Sequence, residues 1–133
     1  MRGKTLLIIL FSLVLVCLNG CGGREYSFKE PIDEIESIEI VWAENSLEFT
    51  VIKTLSEEEK EDFLDKFQKI KFHKNFLDPS DVYGNVIKIT YKSGIYEMIC
   101  FYASEYVEDG FIRYRLVGCD EEEFNALLNS FLE

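Results

Sequence analysis

Two acidic triplets frame what this chain can become. Glu57-Glu58-Glu59 follows Ser56, and Glu121-Glu122-Glu123 follows Asp120. In both places a short polar side chain stands three residues before a Glu, which is the spacing of a capping box. The triplets also put negative charge where the positive end of a helix dipole favours it. Apolar residues then recur at helical spacing: Phe63, Leu64, Phe67 and Ile70 after the first start, Phe124, Leu127, Leu128 and Phe131 after the second. Two amphipathic helices follow. Their matching offsets invite a duplicated unit, but any capped amphipathic helix drifts toward this pattern, and convergence accounts for it.

The remaining segments alternate with period two. Ile38, Ile40 and Trp42 alternate with Ser37, Glu39 and Val41; after a turn at Glu44-Asn45, Leu47, Phe49 and Val51 alternate with Glu48, Thr50 and Ile52. The first helix fades over residues 71–75, and Asp78, Pro79, Ser80, Asp81 and Gly84 form a linker. Ile87, Ile89 and Tyr91 open a second strand group, Ser93-Gly94 turns it, residues 95–102 return, and Asp109-Gly110 turns again into residues 111–117. The order is ββα-βββα. This predicts an α+β fold: a single antiparallel sheet of about five strands with both helices on one face.

The N-terminus belongs to no fold. Arg2 and Lys4 precede an apolar run over residues 6–18, a basic start and apolar middle that match a secretory signal peptide. The run is short of the roughly 20 apolar residues a spanning helix needs. Its end, Leu18-Asn19-Gly20-Cys21, resembles the lipobox of bacterial lipoproteins. That resemblance implies cleavage before Cys21, with Leu18 and Gly20 recognised at the cleavage site, and attachment of a diacylglyceryl group to the Cys21 thiol. Asn19 departs from the small or aliphatic residue usual there. The chain then divides into a signal peptide (1–20), a lipidated tether (21–30) and one α+β domain (31–133), on the outer face of the cytoplasmic membrane. Two acyl chains anchor firmly where one is marginal.

Charge narrows the partners. At 14 basic against 25 acidic residues, a net −11, the chain would repel phosphates over most of its surface, so no nucleic acid is expected. An acidic body would likewise be held to a membrane by its acyl chains rather than by its surface. One His and scattered Cys are too few for a structural zinc site, and no stretch has the ligand pattern of a calcium loop. His73 lacks a second His or a nearby Cys, so no triad can be read from spacing. Phosphate loops, nucleophile elbows and HExxH helices are missing from the sequence, and no cofactor or enzymatic activity is expected.

Two features remain open to a functional reading. Cys100 and Cys119 survive export and acylation; they are either a disulfide that an oxidising exterior permits or two free thiols, Cys100 a small core residue. The strand over residues 95–102 is apolar on both parities. If Glu97 marks the face away from the helices, that face also carries Ile95, Ile99, Phe101, Phe111, Arg113, Arg115 and Lys88. Such a face could grip a protein, peptide or glycan, or it could be a cross-strand salt-bridge ladder of Glu97 with Arg113 or Lys88.

The body resembles small, uncharacterised lipoproteins of Gram-positive bacteria. The resemblance lies in Tyr83-Gly84-Asn85, Ile87-Lys88-Ile89-Thr90-Tyr91, Tyr106-Val107-Glu108-Asp109-Gly110 and Cys119-Asp120-Glu121-Glu122-Glu123-Phe124-Asn125. It implies location and fold and carries no activity. The reading is therefore a membrane-anchored, non-enzymatic binding module using an open sheet face. The alternative is an inhibitor or immunity-type module that blocks an envelope enzyme or toxin.

Overall fold

The structure, a computed structural model, describes residues 26–74, 82–115 and 117–133. The expected signal peptide, the lipobox with Leu18, Gly20 and Cys21, and the linker residues Asp78, Pro79, Ser80 and Asp81 lie outside the described residues.

Both helices form where their caps require. Helix α1 spans Glu57–Gln68; Ser56 Oγ accepts from the Glu59 amide at 3.2 Å, and Glu59 Oε2 accepts from the Ser56 amide at 2.9 Å. Helix α2 spans Glu121–Leu132, and Asp120 Oδ1 accepts from the Glu123 amide at 3.0 Å. Each cap satisfies an amide that has no partner inside the helix. The buried stripes are Phe63 and Phe67 on α1 and Phe124, Leu127, Leu128 and Phe131 on α2.

The strands are β1 (Ile35–Ala43), β2 (Phe49–Thr54), β3 (His73–Lys74), β4 (Gly84–Tyr91), β5 (Tyr96–Ile99), β6 (Ser104–Glu108), β7 (Phe111–Arg115) and β8 (Val117–Gly118). Six of them make one antiparallel sheet in the order β2-β1-β4-β5-β6-β7, and β3 pairs with β8 apart from it. The fold is α+β with one main sheet, as the periodicity requires.

The difference lies at residues 100–103. Where the sequence reads one strand over residues 95–102, β5 ends at Ile99, and the Cys100 amide donates to Ala103 O at 3.0 Å to close a turn into β6. No Gly, Pro, Asn or Asp marks that turn, so apolar Cys100, Phe101, Tyr102 and Ala103 read as strand. The Asp109-Gly110 turn behaves as its residues dictate. Both adopt positive φ, 51° and 78°, and join β6 to β7 through a two-residue loop.

Register decides which side chains meet. Ile40 lies beside Ile87 and Ile87 beside Ile99; Ile89 lies beside Glu97, Glu97 beside Tyr106, and Tyr106 beside Arg113. All of these share the side of the sheet that packs against both helices. The helix-side core gathers Ile38, Ile40, Ile87, Ile89 and Ile99 with every buried Phe among the described residues, namely Phe63, Phe67, Phe72, Phe124 and Phe131. At about 1.5–3 kcal/mol for each fully buried apolar side chain, this cluster supplies most of the folding drive. A smaller core of Val41, Ala43, Val82, Val86, Met98, Cys100 and Ala103 occupies the opposite face.

Packing into the domain core begins before the boundary expected at residue 31. Tyr26 is buried in the helix-side core, its ring 5.2 Å from Phe67 and 4.9 Å from Phe72. Residues 26–30 thus form a strap along the domain.

Candidate functional site

The strap and strands β5 to β7 enclose a carboxylate. The Glu97 side chain is fully buried. Tyr26 Oη donates to its Oε2 at 3.3 Å and lies 2.7 Å from Ser104 Oγ. Arg115 Nη1 sits 3.3 Å from Oε1. That contact is an ion pair by distance but lacks hydrogen-bond alignment, so Oε1 has no hydrogen-bond donor among the described residues. Arg115 also donates to Ser27 O, and the Lys29 amide donates to Tyr91 Oη at 3.1 Å.

Burial dominates the electrostatics here. It raises the Glu97 carboxyl above the ordinary range, and Arg115 and the Tyr91 and Tyr26 hydroxyls offset this only in part. Burial first, and the Glu97 charge second, also hold the Tyr26 and Tyr91 phenols protonated well above their usual range.

Cations and aromatics lie around this pair. Lys29 Nζ stands 4.4 Å from the centre of the Tyr106 ring, and Arg115 Cζ stands 5.5 Å from the same ring. Arg113, in register with Tyr106, is exposed, and Phe111 is 71% exposed.

The structure corrects the face assigned from sequence. Phe111, Arg113 and Arg115 do share the parity of Glu97, but the face is the helix-side one, beyond the helices. A carboxylate is almost never fully buried unless paired, so Glu97 reads as a water-facing residue. Its partners Tyr26 and Arg115 reverse that. Lys88 lies on the opposite face, in register with Met98; its Nζ is 3.1 Å from Glu39 Oε2 and close to the Phe49 and Tyr96 rings, at 4.9 and 5.0 Å. Neither ladder proposed for Glu97 forms, since its cation is Arg115. Phe101 is half-buried against the helix-side core in the β5 to β6 turn.

The opposite face is not open either. Glu105 is buried there; Ser46 Oγ donates to its Oε2, and the Val82 amide donates to Oε1 at 3.2 Å. Tyr96 Oη donates to Ser46 O at 2.8 Å. The loop between β1 and β2 is thereby pinned across the smaller core.

Cys100 and Cys119 are both buried free thiols. Burial raises both, and Cys119, with Glu123 adding repulsion, is pushed up to about 12. His73 pairs with Gly118, next to Cys119, but His73 is exposed and Cys119 buried, so the pairing assembles no dyad. Among the described residues no three His, Cys, Asp or Glu side chains gather as metal ligands, and no helix is long and apolar enough to cross a membrane.

One surface went unread in the sequence. Strand β2 is an edge strand, and both Val51 (44% exposed) and Ile52 (49% exposed) stand in solvent along it. Its one charged residue, Lys53, turns its ammonium inward to Glu59 Oε1 at 2.6 Å and Phe131 O at 2.7 Å. Nearby Trp42 and Leu47 are exposed, and Trp42 meets exposed Tyr83 edge-on at 5.5 Å. The available signal was apolar residues on both parities of a short strand, which no single buried face demands. No family model matches the chain, and searches of curated proteins and of solved structures returned no match.

Proposed function

We propose that this chain is a lipid-anchored protein of the outer face of the bacterial cytoplasmic membrane. In this reading it binds an extended segment of another envelope protein through the free edge of strand β2. The anchor is Cys21, its thiol carrying a diacylglyceryl group and the chain cleaved immediately before it at the Leu18-Asn19-Gly20-Cys21 motif.

The observation that carries the binding role is the β2 edge. Exposed sheet edges template pairing with other chains, and proteins blunt them with charges, prolines, bulges or covering segments. Strand β7, at the other edge, carries Arg113 and Arg115. Strand β2 presents Val51 and Ile52, with its lysine withdrawn. The register passes from Ile40 beside Lys53 to Val41 beside Val51, so Ile52 is the extra residue of a bulge, the one blunting device on this edge, and no strand pairs the outer edge of β2 among the described residues. Backbone bonds would give affinity in such an addition, and alternate side chains would give selectivity.

The test uses the full lipidated chain in membranes, with crosslinkers placed along β2. Wild type should capture a discrete partner that Ile52→Lys loses, while both proteins melt alike. Equal capture by the two, or a chain that crosslinks only to itself, would count against the reading. A Cys21→Ala chain that still fractionates with lipid would remove the anchor.

A further inference from the structure

We propose that the extended segment accepted by the β2 edge is basic: apolar at its centre, with Lys or Arg toward both ends. The proposal rests on the β2 reading above and names the chemistry of its partner.

Charge at the two ends of the strand carries it. Strand β2 runs from Phe49 to Thr54, roughly 17 Å at strand rise. Glu44 and Glu48 stand exposed at its start, and Glu57 and Glu58 stand exposed just beyond its end, where helix α1 opens. The cations nearby are already engaged. Lys53 lies 2.6 Å from Glu59, Lys60 lies 3.1 Å from Glu57, and Lys88 lies 3.1 Å from Glu39. Glu44, Glu48 and Glu58 form no ion pair among the described residues. A strand laid along β2 would therefore have uncompensated carboxylates beside each of its ends, and Val51 and Ile52 beside its middle.

The acids at the start are held in place. The Leu47 and Glu48 amides both donate to Asn45 Oδ1 at 2.9 Å, and the Glu44 amide donates to Glu48 O at 2.9 Å. Ser46, between them, is buried and donates to Glu105. A fixed anion spares an incoming cation part of the ordering cost of binding.

The same charges disfavour a second copy of this chain. Two β2 strands paired antiparallel would set the Glu48 end of one against the Glu58 end of the other. Parallel pairing would set each end against its own counterpart. Both bring like charges together across a new strand pair, which is destabilising. A basic segment reverses the sign, and charges at the rim of an interface govern partner choice and association rate.

Trp42 supplies the readout. It is the one tryptophan of the chain, is 40% exposed, and lies in register with Thr50 on β2. The experiment holds the full lipidated chain in phosphatidylcholine vesicles, which carry no net charge to attract a basic peptide. Trp42 emission is followed during titration with tryptophan-free peptides that share a centre of alternating Val and Thr. Their ends carry Lys, Gln or Glu, and a further Lys-ended peptide is methylated on its backbone amides. The Lys-ended peptide should bind roughly fivefold more tightly than the Gln-ended one, with the advantage shrinking as salt is added. The Glu-ended peptide should bind more weakly than either, and the methylated peptide should not bind. A Glu48→Gln, Glu58→Gln chain, which leaves the Glu44 contact with the indole intact, should lose most of the preference for Lys ends. Equal binding of Lys-ended and Gln-ended peptides would overturn this inference and leave the β2 reading standing. Binding of the methylated peptide, or of no peptide, would overturn both. An emission change that tracks protein density alone would assign the edge to a second copy and overturn both as well.

Discussion

The hydroxyl of Tyr26 donates to the carboxylate of Glu97 across 71 residues of sequence. This bond ties the segment just after the expected lipid attachment point to the middle of the sheet. It turns what reads as a tether into a strap, and it gives a buried carboxylate one of its few donors.

Removing the carboxylate should be costly. Glu97→Ala leaves the Arg115 guanidinium without its anion and the Tyr26 hydroxyl with only Ser104. Breaking one member of a buried pair typically costs about 3–5 kcal/mol. Glu97→Gln, which keeps the shape and an acceptor, should cost less. Denaturant titration of the three proteins checks the order.

The same residue sets a pH dependence of defined sign. Its folded pKa is raised, so the folded state holds the proton more tightly than the unfolded state. The contribution of Glu97 is complete below the unfolded carboxylate pKa and is lost as pH rises through the raised folded value. Glu59 has the opposite sign: the Lys53 ammonium first, and the Ser56 amide second, hold it low, so its contribution is lost as pH falls. The stability difference between wild type and Glu97→Gln should therefore shift against wild type as pH rises from the acidic range toward neutrality. A difference flat in pH would contradict the assignment.

Helix caps can be tested singly. Ser56→Ala and Asp120→Ala should each cost about 1 kcal/mol, with a range of 0.5–2. Their sites are on separate helices, so the double variant should be close to additive. Thermal or denaturant melts provide the comparison.

Core truncation should be more severe. Phe67 is fully buried between the strap and the sheet, stacked 5.3 Å from Phe63. Phe67→Ala should cost about 3–5 kcal/mol, and in a domain of this size that is a large share of total stability. Loss of the cooperative melting transition at ordinary temperature is an acceptable form of the result.

The thiols should be quiet. Cys100 and Cys119 are buried with raised pKa values, so little thiolate exists at neutral pH. Alkylating reagents should modify them slowly in the folded protein and quickly in denaturant, as peptide mass mapping would show. Rapid labelling of either thiol in the native protein would mean that this part of the sheet opens readily.

Sequence alone determined the parts whose chemistry is local. The two helices are written in Ser56, Glu59, Asp120 and Glu123 and in stripes three and four residues apart. The Asp109-Gly110 hairpin is written in two residues that tolerate positive φ. The shared parity of Phe111, Arg113 and Arg115 follows from the strand repeat itself. Tertiary structure decided the rest. Whether Glu97 faces water or core depends on Tyr26 and Arg115, distant residues whose approach no local pattern encodes. The turn at residues 100–103 needs no turn residue, because the flanking strands and the smaller core hold it closed. Which edge of the sheet stays bare depends on strand order, and strand order is set by contacts that exist only once the chain has folded.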